Sequence, residues 1–242
     1  MRIALATLWI LTGSAVTAGI YWGFLNTPES TVWALMASAV LAGVTLALAG
    51  FTATGAIAML THGASLTGIR RALHAIASVI PAALIVLMMW WITRHAETWL
   101  AMRNGQISAW FIARFGVADL TWMFTAARYV AQWFRWVFSA LLALSLMAGF
   151  VAIGWSALAQ AAWLRRAVRP RALVLATVWF VILIALPWLY LVPWRPKGLP
   201  ATSAEFAFIV AKLSVSAILF AVGAALITHE ASRVPSPPVV AA

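Results

Sequence analysis

Lys212 is the charged residue set deepest in an apolar stretch of this chain, and an ammonium group in hydrocarbon is costly enough to mark a site candidate. It falls about seven residues, or roughly 10 Å of helix, from the start of the stretch. Glu205, Lys212, Ser216, Gly223 and Glu230 recur at spacings that place them on one helix face. Such a stripe could face a polar cavity and hold an anionic or lipid-linked substrate. The alternative is that the long lysine stem returns its charge to the membrane interface.

A second stripe follows Asp119, a candidate N-cap. Thr121, Thr125, Arg128, Gln132 and Arg135 recur at helical spacing, Leu120, Met123, Ala126, Val130 and Phe134 cover much of the remainder, and Trp122, Tyr129 and Trp133 line a flank. A wide apolar face with a narrow basic stripe describes a helix lying in the membrane interface. Arg128 and Arg135 could instead line a polar cavity and bind an anion.

His95 and Glu97 could form an acid/base pair acting on lipid head groups, although no nucleophile accompanies them and Glu97 can pair locally with Arg94. Haem would need two imidazoles at one depth. His62, His74 and His229 fall near one membrane surface and His95 near the other, so a His62–His74 or a His74–His229 pair is the open possibility. No cofactor is expected beyond that. The five acids, Glu29, Glu97, Asp119, Glu205 and Glu230, are scattered, and cysteine is missing altogether. Neither HExxH, GxSxG nor a phosphate-cradling glycine loop occurs, so no metal site and no familiar hydrolytic or ATP-binding site is expected.

The elements that must carry these residues are apolar. Hydrophobic residues make up 65% of the 242, and charged residues 9%. That is too little charge to cover a soluble domain. Apolar runs at 3–25, 31–53, 72–93, 136–161, 172–192 and 206–228 each approach or exceed the roughly 20 residues a membrane helix needs. They are apolar on every side, without the alternation of a barrel strand. The expected fold is all-α: a polytopic transmembrane bundle of about six spans forming a single integral membrane domain over 1–230. One or two amphipathic interfacial helices are expected in the outer segment 94–135, where Asn104-Gly105 and Gly116 signal breaks and Arg114 and Asp119 make a seventh span expensive. The end of the chain, 231–242, reads as a flexible tail.

Within the spans, Ala15, Gly19 and Gly23, and Ala39, Gly43 and Ala47, have the small-xxx-small spacing that lets helices pack closely inside a bundle. Pro81 and Pro187 should kink the third and fifth spans. Arg2 and the apolar residues 3–11 resemble a signal peptide with a weak cleavage match at Val16-x-Ala18, but the run continues through Leu25 and reads as an uncleaved signal anchor.

The net charge of +11 comes from basic residues between the spans, which suits anionic lipid head groups and not nucleic acid. Arg2, Arg70, Arg71, Arg165, Arg166, Arg169, Arg171 and Arg233 all fall on one side, which predicts cytoplasmic N- and C-termini; Arg195 and Lys197 weaken the bias slightly. Short loops and an Ala/Arg-rich composition suggest a bacterial inner membrane. The expected function is that of a non-catalytic subunit of a larger membrane assembly, touching lipids and partner subunits. The alternatives are a transporter component for an anionic or lipid-linked substrate and a membrane enzyme acting on head groups.

Overall fold

The computed structural model describes residues 1–27, 31–116, 119–194 and 203–233. Glu29, Arg195, Lys197 and the expected tail from 234 onward lie outside these. The described residues form helices without a strand, and six helical runs are long and apolar enough to cross a membrane. The chain is a polytopic helical bundle.

Helix α1 (Arg2–Leu25) is followed by α2 (Val32–His62), which opens where the Thr31 hydroxyl accepts from the Ala34 N–H. Gly63, at φ +75, stops α2, and Ser65 caps the short α3 (Leu66–His74). Helix α3 turns back against α2, and the buried Thr54 hydroxyl donates to the Ala72 carbonyl at 3.1 Å. A single tight turn, Ile76–Ser78, leads into α4 (Val79–Phe115), which ends on Gly116 at φ +66. After α5 (Thr121–Trp133) the helix widens into a π turn, Phe134–Phe138, and continues as α6 (Ser139–Ile153) until Gly154. Short helices α7 (Ser156–Ala159) and α8 (Ala162–Ala167) lead to α9 (Pro170–Phe180), which is prolonged by π turns Val181–Ala185 and Pro187–Leu191. The last helix is α10 (Ser203–Ser232).

The Arg2 guanidinium donates to the Leu60 and Thr61 carbonyls, and that of Arg169 to the Arg233 carbonyl. Residues 2 and 233 therefore sit at one end of the bundle with the α2–α3 and α8–α9 connections. The turns after α1 and α4 lie at the other. The fourth span is the axis: α6 packs against α2, α4, α8 and α10, and 67% of its apolar window is buried against 17% or less for every other span.

Three sequence expectations change. First, 94–115 continues α4 without the break expected at Asn104-Gly105, and α5 runs on through a π turn into α6. The third span, Ile76–Phe115, is 40 residues long, and the fourth, Thr121–Ile153, is 33. At 1.5 Å per residue these are about 60 and 50 Å, against about 30 Å of hydrocarbon. Their outer parts, α4 and α5, pair as an antiparallel hairpin. Asn104-Gly105 lies inside α4, where the Asn104 side chain accepts from the Ser108 hydroxyl one turn on.

Second, Pro81 does not fall in mid-span, and Pro187 coincides with a widened turn. Pro81 sits in the first turn of α4, where few N–H groups have intrahelical partners anyway. Pro187 sits at the start of a π turn.

Third, Gly19, Gly23 and Gly43 have nothing within 4 Å of where a Cβ would stand, so they do not provide the expected close packing. The close approach of α1 to α2 is at Gly13, against Thr52, and at Gly55, against the Trp9 indole. Trp9 Nε1 also donates to the Thr52 carbonyl at 3.1 Å.

Candidate functional site

The base of the hairpin gathers the largest set of polar and aromatic groups. Trp90, Thr93 and Glu97 share one face of α4, and Arg135 faces them from the π turn before α6. The Arg135 guanidinium meets the Glu97 carboxylate at 2.6 Å, donates to the Thr93 hydroxyl at 3.3 Å and lies 5.0 Å from the Trp90 ring centroid. Trp90 in turn packs edge-on to Trp136 at 5.2 Å. Arg135 thus has a salt bridge, a hydrogen bond and a cation–π contact, all in a partly buried setting.

One turn beyond, α4 and α5 enclose a cleft of about 500 Å³. Glu97, Thr98 and Asn104 line it from α4; Arg128, Gln132 and Arg135 line it from the facing helix; Leu100, Ala101, Phe124 and Ala127 form apolar wall. The expected stripe of Arg128, Gln132 and Arg135 does line a cavity. Arg128 is exposed and has no acidic partner among the described residues. Sequence reasoning missed Thr93 and the contact of Trp90 with Arg135, and it read Asn104 as part of a turn. The available signal was that 90, 93 and 97 repeat at the helical spacing of 128, 132 and 135, on the far side of the break at Gly116.

At the start of the hairpin's return strand of helix, Asp119 accepts from the Thr121 N–H at 2.8 Å and from the Thr121 hydroxyl. These two bonds hold its carboxyl below the usual carboxylate range. The N-cap position itself is Leu120, without a side-chain cap bond, so Asp119 stands one residue before the expected cap and takes the first N–H of α5.

Lys212 reaches to the C-terminal end of the α9 run. Its ammonium donates to the carbonyls of Val192, at 2.7 Å, and Trp194, at 3.2 Å, and lies 5.7 Å from the Phe208 ring. It closes the C-terminal end of the α9 run, where carbonyls lack intrahelical donors. Ser216 donates back to the Lys212 carbonyl, and Glu205 forms no ion pair among the described residues.

His95 and Glu97 are not brought together. Two residues apart on one helix, they point nearly opposite ways. His95 is exposed, with Nδ1 2.9 Å from the Trp91 carbonyl, while Glu97 is held by Arg135 and not by Arg94. Of the other histidines, His62 presents Nε2 to the Arg71 guanidinium at 3.0 Å. Because arginine only donates, that bond occupies the lone pair an iron would use. His74 ends α3 and His229 lies in the last turn of α10. Among the described residues no three His, Asp or Glu side chains cluster as a metal site would require.

A second, mostly apolar cavity of about 620 Å³ lies within the bundle. It is bounded by α1, α2, α6, the α9 run and α10, with Ser14, Thr17, Tyr21, Thr45, Thr52 and Thr228 among its lining. The hydroxyls of Thr17, Thr45 and Thr228 bond to carbonyls of their own helices. They are therefore satisfied without a ligand.

No protein-family model matches the chain, and no curated protein or solved structure matches it.

Proposed function

We propose that this chain is a non-catalytic integral membrane subunit that engages a partner subunit through its α4–α5 hairpin. The observation that carries this reading is the hairpin's length combined with its surface. Beyond Glu97, α4 runs on to Phe115, about 27 Å farther. Over that distance Trp99, Met102, Trp110, Ile112 and Phe115 are about half or more exposed, as is Trp122 on α5. Within a bilayer such residues need no explanation. On an arm that outruns the hydrocarbon they form the kind of apolar and aromatic surface that interfaces use, with Arg94, Arg103 and Arg114 interspersed.

The arginines at the end holding residues 2 and 233 support an orientation with that end in the cytoplasm and the hairpin outside, in a bacterial inner membrane. Burial and the neighbouring Arg169 both press against the charge of Arg166 in this group, a setting that an anionic head group would relieve.

The test is purification of the tagged chain at native expression in mild detergent, followed by mass spectrometry. A stoichiometric membrane partner is expected. A chain that isolates alone and remains stable would count against the proposal.

A further inference from the structure

We infer that the α4–α5 cleft is a binding site for the phosphate group of an anionic membrane lipid, with Arg128 as its principal cation. Three observations converge on this, and none requires a protein partner. The first is charge. Arg135 is already neutralised by Glu97 at 2.6 Å, so the cleft's net positive charge is that of Arg128, which has no acidic partner among the described residues. A guanidinium in that state suits a single phosphodiester anion, which it can grip with two parallel N–H donors.

The second is the donor set. The Gln132 and Asn104 amides line the same cleft, and the Asn104 oxygen is taken up by the Ser108 hydroxyl, leaving its NH2 group to donate. The donors of Arg128, Gln132 and Asn104 sit against an apolar wall that includes Leu100 and Phe124. A free ion would have no use for that wall; the glycerol and first methylenes of a lipid would pack on it.

The third is depth. The cleft begins at Arg135, directly beside the Trp90–Trp136 pair, and indole rings of membrane proteins gather at the head-group level. That level is where lipid phosphates lie. A zwitterionic head group brings its own cation close to the phosphate, so the site should select lipids with net negative charge.

The experiment uses the full chain in nanodiscs of phosphatidylcholine containing a minor fraction of phosphatidylglycerol, with native mass spectrometry of the lipids retained after mild delipidation. The wild type should retain phosphatidylglycerol. R128Q should lose it by roughly tenfold, the worth of one charge-assisted contact. R103Q removes an arginine that lies over Trp99, 5.4 Å from its centroid, and does not line the cleft, so it should retain the lipid like the wild type. Arg128 is exposed, and an unchanged helical circular dichroism spectrum would show that R128Q leaves the bundle intact. Equal retention by wild type and R128Q would overturn the inference, as would equal losses in R128Q and R103Q. A final arm titrates inorganic phosphate into discs of phosphatidylcholine alone. Arg128-dependent phosphate binding without phosphatidylglycerol retention would overturn the assignment to a lipid.

Discussion

The Glu97 carboxylate and the Arg135 guanidinium meet at 2.6 Å although 38 residues separate them in the chain. That contact ties the third span to the fourth at the base of the α4–α5 hairpin, and it leaves Arg128 as the uncompensated cation of the cleft beyond. The Arg135 and Glu97 side chains are 15% and 30% exposed, between the regime where an ion pair is worth little and the regime where breaking one is severe.

A double-mutant cycle on E97Q and R135Q should therefore give a coupling energy of about 1–2 kcal/mol in reversible unfolding from detergent. R135K should recover only part of it, because lysine keeps the charge but loses the planar contacts with Trp90 and Thr93. A coupling indistinguishable from zero would show that the pair does not hold the hairpin base.

The α1–α2 seam predicts opposite outcomes at glycines of similar sequence setting. An added Cβ at Gly55 would lie 2.5 Å from the Trp9 indole nitrogen, whereas at Gly19, Gly23 and Gly43 it would meet nothing within 4 Å. G55A should cost about 1–3 kcal/mol through overpacking and shift Trp9 fluorescence. G19A and G43A should leave stability unchanged or slightly raised, since alanine is the better helix former. Equal effects at all three positions would be incompatible with the seam described.

For Lys212, the geometry predicts a local stabilising role. K212M removes the donor to the Val192 and Trp194 carbonyls and should cost about 1–2 kcal/mol. Hydrogen exchange should rise around the end of the α9 run, at 187–194, and remain unchanged in α6. Unaltered exchange at 187–194 would contradict the contact.

The acid dependence of the hairpin follows from Asp119. Its carboxyl is held low in the folded chain by Thr121, so its contribution is present above the unfolded pKa and is lost as pH falls through the folded one. Between pH 6 and 8 the first turn of α5 should be insensitive to pH. Below the carboxylate range, amide exchange at Thr121–Met123 should rise, and D119A should show the raised exchange at every pH. If D119A exchanges like the wild type at neutral pH, the Asp119–Thr121 contact does not hold the first turn.

The six spans were legible because hydrocarbon imposes long uninterrupted apolar runs, and α6 or α9 can be recognised without knowing any neighbour. The hairpin was not. Asn104-Gly105 carries a turn signal, but within α4 it is overridden by helix on both sides and by α5 packed alongside. Glu97 has a cation one turn away at Arg94, and only the tertiary fold shows that it prefers Arg135. The partners of Lys212 are backbone carbonyls contributed by another helix, which no side-chain pattern encodes. The small-xxx-small runs failed for a related reason: small residues permit close packing, and the neighbour's position decides which of them are used.

The central claim is that the α4–α5 hairpin docks a partner, and the most direct measurement is parallel purification of the wild type and a W110D/W122D variant at native expression, each analysed by quantitative mass spectrometry. Trp110 and Trp122 are 57% and 67% exposed, so the bundle should fold in both. The account predicts a stoichiometric membrane partner with the wild type and its loss, by tenfold or more, with the variant, the magnitude expected if these aromatics anchor the interface. A partner retained equally by both, or no partner with the wild type, would contradict it.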